Sequence, residues 1–237
     1  MQHSVIDNVR KDLRVMADPV KAKILQGFFK TGPGQYGEGD LFLGITVPQS
    51  RQVARKFRWL PLQDVKTVLY SGVHEERLVA LLILVQKYCS SASDREKEEV
   101  VRFYIENLKQ VNNWDLVDLS APSILGAYLK DGDRALLYNL TRSDSVWERR
   151  IAIVATLYFI RNNEFSDTLK IVAMLLQDGH DLIHKAAGWM LREVGKRDAA
   201  VEEAFLEKHY KAMPRTMLRY AIERLPEKKR RRYMKAG

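Results

Sequence analysis

The sequence has a single cysteine, Cys89, so no disulfide can form within the chain. Cys89 lies in the apolar run LLILVQKYCSS, where a small buried hydrophobe is expected rather than a nucleophile or a ligand. No apolar run reaches the roughly 20 residues that span a bilayer. The N-terminal MQHSVIDNVRKDLRVMA reads as a charged amphipathic helix that lacks the apolar centre of a secretory signal. The reading is a cytoplasmic protein with no membrane partner. A long like-charge block and a Pro/Ser/Gly-rich linker are both missing from the body of the chain, which argues against an internal disordered segment. The loop TGPGQYGEGDLFLGI is glycine-rich, but it follows a helix and lacks the Gly-Lys-Ser/Thr ending that cradles phosphate. His180 and His184 stand four residues apart without an HExxH pattern or a cysteine partner, so neither a metal nor a cofactor is expected.

Half-buried strands are missing too: no stretch alternates apolar and polar residues. Apolar positions recur instead at helical spacing, as at Val79, Leu82 and Ile83, and breaks fall at Asp18-Pro19, Gly32 to Gly44, Leu60-Pro61, Asn112-Asn113, Asn162-Asn163, Pro214 and Pro226. About a dozen helices of ordinary length lie between these and the remaining breaks. Three segments share a pattern of charged entry, apolar turn and central alanine: EERLVALLILVQ around Ala80, ERRIAIVATLYF around Ala152, and HKAAGWMLREVG around Ala187. They are separated by 72 and 35 residues, that is, by two steps of 36 and one of 35, which suits one helical hairpin per step. A fourth copy is expected near residue 116, in NNWDLVDLSAP. The fold class read from this is all-α: a right-handed-type α-solenoid of stacked HEAT-like helical hairpins with a concave wall, one domain over 1–237 with a short basic tail from about 227.

The repeat register brings residues to equivalent positions. Steps of 36 and 35 from Trp114 reach Arg150 and Lys185, and the same steps from Asp118 reach Val154 and Trp189. Trp114 and Asp118, like Lys185 and Trp189, are four apart and share a helix face. Each also has a structural reading: Trp114 and Trp189 as core, Asp118 as a solvated residue, Arg150 as a charge bridging to Glu148 or Asp144. Together, a carboxylate flanked by indoles is a poor stability device and a good cation-binding one. Net charge is +9, which favours a polyanionic partner. Basic residues cluster late in the chain, at Arg192, Lys196, Arg197, Lys208, Lys211, Arg215 and Arg219 and in EKKRRRYMK, a distribution that fits a nucleic-acid footprint.

These residues carry a family likeness. The chain resembles the AlkD-type DNA alkylation repair glycosylases, a HEAT-like-repeat family, through YGEGDLFLGI with VPQSR (Tyr36 to Arg51), NNWDLVDLSAPSILG, SDSVWERRIAI, HKAAGWMLREVGKR and MPRTMLRYAIERLP. The resemblance implies that Asp118 is the catalytic carboxylate, that Trp114 and Trp189 are the paired indoles cradling the damaged nucleotide, and that Arg150 contacts the DNA backbone. Lys185, Arg192, Lys196, Arg197, Arg215 and Arg219 complete the expected DNA-binding set. Asn113 departs from members in which a second tryptophan precedes the active-site one. The implied activity is monofunctional hydrolysis of the N-glycosidic bond of cationic N3- and N7-alkylated purines in duplex DNA, by a monomer that associates with the nucleoid when bound. Two other readings are a catalytically silent HEAT-repeat protein on distorted or branched DNA, which retention of Asp118 disfavours, and an adaptor for a protein partner, which the basic clustering disfavours.

Overall fold

In the computed structural model, residues 5–235 are described; residues 1–4 of the expected N-terminal helix and the last two of the expected tail lie outside them. Every regular element among the described residues is helical, with one isolated parallel bridge between Leu41 and Val73. None of these helices is long and apolar enough to cross a membrane. The chain divides into two compact units, Met1–Ser120 and Ala121–Gly237.

The first unit contains α1 (Val5–Val15), α2 (Pro19–Phe28), α3 (Val47–Lys56), α4 (Leu62–Leu69), α5 (His74–Ser90), α6 (Asp94–Glu106) and α7 (Trp114–Ala121), the last reaching one residue past the division. Local chemistry sets the starts. Asp18 accepts from the Val20 and Lys21 N–H groups ahead of Pro19, which supplies a preset φ at the first helical position. Ser93 caps α6 by accepting from the Glu96 N–H. Helix α5 is the centre: from His74 to Leu84 every side chain is buried, and α1, α3, α4 and α6 pack on it. Such a helix shows no amphipathic stripe because it has no solvent face. Its last turns do have one. Tyr88 continues the inward row of Leu81 and Leu84, whereas Cys89, about 100° further round, is exposed. The expectation of a buried Cys89 is therefore corrected: the apolar run before it is core, but the helix has emerged from the core by residue 89.

The second unit opens with a wide π turn at Pro122–Gly126 and continues through α8 (Ala127–Leu129), α9 (Ala135–Thr141), α10 (Val146–Ala155), α11 (Leu157–Arg161), α12 (Ser166–Met174), α13 (Asp181–Arg197), α14 (Ala199–His209), α15 (Arg215–Ala221) and α16 (Glu227–Lys235). Helix α13 is its centre, with α10, α11, α12, α14 and α15 against it. Small residues allow the close approaches: a side chain at Gly188 would collide with the Met217 carbonyl and Tyr220, and one at Gly126 with the Ala155 carbonyl. The repeat alanines Ala80, Ala152 and Ala187 are all fully buried in long helices, as is Leu116 at the fourth expected copy. Residues 227–235, expected as a tail, form α16. Its Tyr233 is buried and donates to Glu207 at 2.7 Å, and Arg232 and Lys229 pair with Glu207 and Glu203.

One buried acid in this unit is under-compensated. Glu202 of α14 is 3% exposed and lies against Gly195 of α13, and its Oε1 has no hydrogen-bond partner among the described residues. Burial, with Glu203 adding repulsion, pushes its pKa up to about 7. The folded chain thus holds a proton that the unfolded chain releases near its ordinary 4.5, so this group's contribution to stability falls as pH rises through that window and is lowest above about 7. Glu202→Gln is expected to raise stability at pH 8 by about 3 kcal/mol and to change it little at pH 4.5. Urea melts of both proteins at the two pH values check this, and equal gains at both would discount the titration.

Candidate functional site

Helix α7 carries the two residues of interest in the first unit, and its first turn is anchored by buried charge. Asp40, at the end of the glycine-containing loop, accepts from Arg77 Nη2 at 2.6 Å, His74 Nδ1 at 3.0 Å and Asn113 Nδ2 at 3.1 Å. The other ring nitrogen of His74, Nε2, donates to Asp115 Oδ2 at 2.8 Å, while Asp115 Oδ1 accepts from the Leu116 N–H. Asn113 Oδ1 accepts from the Trp114 N–H at 2.9 Å, so Asn113 both starts α7 and ties it to Asp40. All five side chains, Asp40, His74, Arg77, Asn113 and Asp115, are buried. Burial alone opposes charge on His74, but hydrogen bonds to Asp115 and Asp40 outweigh it and push its pKa up to about 9. Burial likewise works against the Asp40 carboxylate, and the donors His74 and Arg77 more than offset it, holding its pKa below the usual range. The group is thus an imidazolium and a guanidinium between two carboxylates, a buried ion network in which Arg77 Nε has no hydrogen-bond partner among the described residues.

The neighbouring Glu75 fixes the loop that leads into α3. Its carboxylate accepts from the N–H groups of Leu43, Gly44 and Ile45 at 3.0, 2.9 and 3.1 Å. Gly44 is required there: its φ is +82° and a Cβ would strike the Asp18 carbonyl. An apolar cleft of about 190 Å³ opens beside these groups, its lining including Ile24, Leu25, Phe29, Phe42 and Leu78 together with Lys21, His74, Glu75 and Asp115.

Trp114 and Asp118 are both half-buried, one helical turn apart. The Trp114 ring stacks on Phe29 with centroids 4.9 Å apart and planes 8° from parallel, and meets Phe28 edge-on at 5.8 Å. The indole is therefore held in place while part of it faces solvent. In the second unit, Trp189 is half-buried and donates from Nε1 to Glu193 at 3.0 Å, and Lys196 pairs with the same carboxylate at 2.7 Å. Lys185, one turn before Trp189, pairs with Asp181 at 2.7 Å. Arg150 is 5% exposed and donates to the Leu182 carbonyl at 2.7 Å, bonded inward to the start of α13 rather than to Glu148 or Asp144 in that bond. Arg192 pairs with Glu223, Arg197 donates to Asn163, Arg215 to the Met234 carbonyl, and Arg219 is exposed.

Sequence reasoning passed over His74, Asp40, Arg77 and Asp115. The available signal was HEER at the head of an otherwise apolar helix: four polar side chains where the helix is buried all round demand partners. Asn113, noted only as a departure from a family pattern, is now assigned a job as the link between α7 and Asp40.

The regular elements of the described residues are helical, and α7 presents an indole and a carboxylate one turn apart on one face. Residues 9–225 match the family described as DNA alkylation repair enzyme, and the chain belongs to that family. DNA is accordingly its partner. Among solved structures, it is similar to one described as a predicted DNA alkylation repair enzyme from Enterococcus faecalis, with TM-score 0.69 and 17% identity over 90% of this chain and 98% of that one. It is also similar to AlkD2 from Streptococcus mutans, with TM-score 0.54 and 16% identity over 92% of this chain and 96% of that one. A third, smu.31 from Streptococcus mutans UA159, has TM-score 0.52 and 15% identity over 92% and 96%. At these identities the likeness is one of fold. Among curated proteins, none matches the chain.

Proposed function

We propose that the protein is a monofunctional DNA glycosylase that hydrolyses the N-glycosidic bond of cationic N3- and N7-alkylated purines in duplex DNA, acting as a monomer. The observation that carries this reading is the pairing of Asp118 with Trp114 on one face of α7, both half-buried, with the indole braced by Phe29. Alkylation at N3 or N7 makes the purine positively charged, so it departs as a neutral base and needs no general acid. What remains is positive charge on the deoxyribose, the same developing charge that glycosidase carboxylates stabilise. Asp118 faces that charge and positions the water, and Trp114 presents its negative π face to it. Lys185, Arg192, Lys196, Arg197, Arg215 and Arg219 serve phosphates and set position without reading sequence, while Arg150, expected to do the same, is buried and bonded inward to the Leu182 carbonyl.

Charge on the lesion then supplies the selectivity. N7-methylguanine and N3-methyladenine are expected to be excised from matched duplexes, while uracil and hypoxanthine persist, because their leaving groups would depart as anions without help. Single-turnover release of each base decides the matter. Efficient removal of uracil or hypoxanthine would mean that an acid or an enclosed base pocket serves the reaction.

A further inference from the structure

His74 takes no part in the chemistry above, yet three other segments meet at its ring. Asp40 reaches it from the loop before α3 and Asp115 from α7. Phe42 lies on its face at 4.4 Å, and Phe29, from the end of α2, at 5.0 Å. Phe29 is also the ring on which Trp114 stacks. We propose that His74, with a proton on each ring nitrogen, is the positioning residue that holds the first turn of α7, and with it Trp114 and Asp118, in the geometry that excision needs; this rests on the functional reading above.

The argument is one of donors. A neutral imidazole carries one N–H and can serve one of its two carboxylates. The other would face a ring lone pair at about 3 Å inside the protein, where no water can intervene. If the nitrogen facing Asp115 loses its proton, α7 loses that anchor directly. If the nitrogen facing Asp40 loses it, the repelled carboxylate is the one that holds Asn113, the residue that starts α7. Either loss releases the helix start. The charged groups around the ring are Asp40 from the loop, Asp115 from α7, Lys21 of α2 in the cleft lining, and Arg77 and Glu75 on α5 itself, the last already engaged by three backbone N–H groups. Arg77 disfavours the imidazolium and the two bonded carboxylates favour it, with the balance placing its titration near pH 9.

Single-turnover excision of N7-methylguanine, measured at saturating protein from pH 6.5 to 10, is expected to fall about tenfold per pH unit above that midpoint. In parallel, ¹⁵N NMR follows the His74 ring and the Trp114 indole, whose resonance is expected to shift with the same midpoint. Asp115→Asn keeps the size of the side chain and removes one of the two charges. It is expected to move both midpoints down by about one unit or more, a shift that a purely structural role would not produce. An alkaline limb at the same pH in parent and variant, or an indole resonance that stays put while His74 titrates, overturns the proposal. A parent inactive at every pH would instead defeat the functional reading, and the indole resonance would then decide the positioning role by itself. The parent titration needs no variant, so a misfolded Asp115→Asn protein leaves the proposal testable.

Discussion

Asp118→Asn is expected to slow base excision by roughly a hundredfold or more while leaving duplex affinity nearly intact. The amide preserves the shape of the side chain on α7 and removes the charge that, in the function proposed, faces the developing cation on the sugar; loss of one such preorganised partner typically costs about 10²–10³ in rate. Single-turnover excision of N7-methylguanine and duplex titration by fluorescence anisotropy measure the two quantities separately. Unchanged excision by a folded variant would remove Asp118 from the catalytic role and with it the main support for glycosylase chemistry. Equal loss of excision and of affinity would make it a binding residue instead.

Asp40→Ala is expected to produce the largest loss of stability of any single substitution in the first unit, on the order of 3–5 kcal/mol. Three donors converge on that carboxylate: His74, Arg77 and Asn113. Removing it leaves two cationic side chains buried with the charge of Asp115 alone to balance them, and the desolvation of both is then uncompensated. Urea denaturation of the variant at pH 7 tests this, and a loss under about 1 kcal/mol would show that the network relaxes or hydrates without cost. The pH dependence has a definite sign. His74 titrates near 6.5 when unfolded and near 9 when folded, so its stabilising contribution is full below about 6.5 and is lost as pH rises through 9. Asp40→Ala should flatten that alkaline decline as well as lower the whole curve.

The helices and their spacing were legible because they follow from local rules. Asp18-Pro19, Ser93 and Asn112-Asn113 mark helix starts by capping chemistry that needs only a few neighbouring residues. The 36-residue step was read from a central alanine in each of three copies, and Ala80, Ala152 and Ala187 are all fully buried. Trp114 and Asp118 sharing a face is likewise a consequence of 3.6 residues per turn. Cys89 was misread because an apolar run says that a helix enters the core but not at which residue it leaves.

The network around His74 was not legible, since its members come from Asp40, His74, Arg77, Asn113 and Asp115, spread over 76 positions with no common spacing. Nothing local distinguishes His74 from an ordinary polar residue at a helix start, and its charge state depends on two carboxylates brought in by other segments. The same holds for Glu202, whose pKa is raised by burial against Gly195 of α13 and by the neighbouring Glu203. By itself the sequence determined an all-helical chain, its repeat step, its preference for a polyanionic partner and the face that Trp114 and Asp118 share, because those depend on composition and on residues close in the chain. Only the tertiary structure decided which polar groups are buried together and therefore charged, because electrostatic energies depend on distance in space and on exclusion of water.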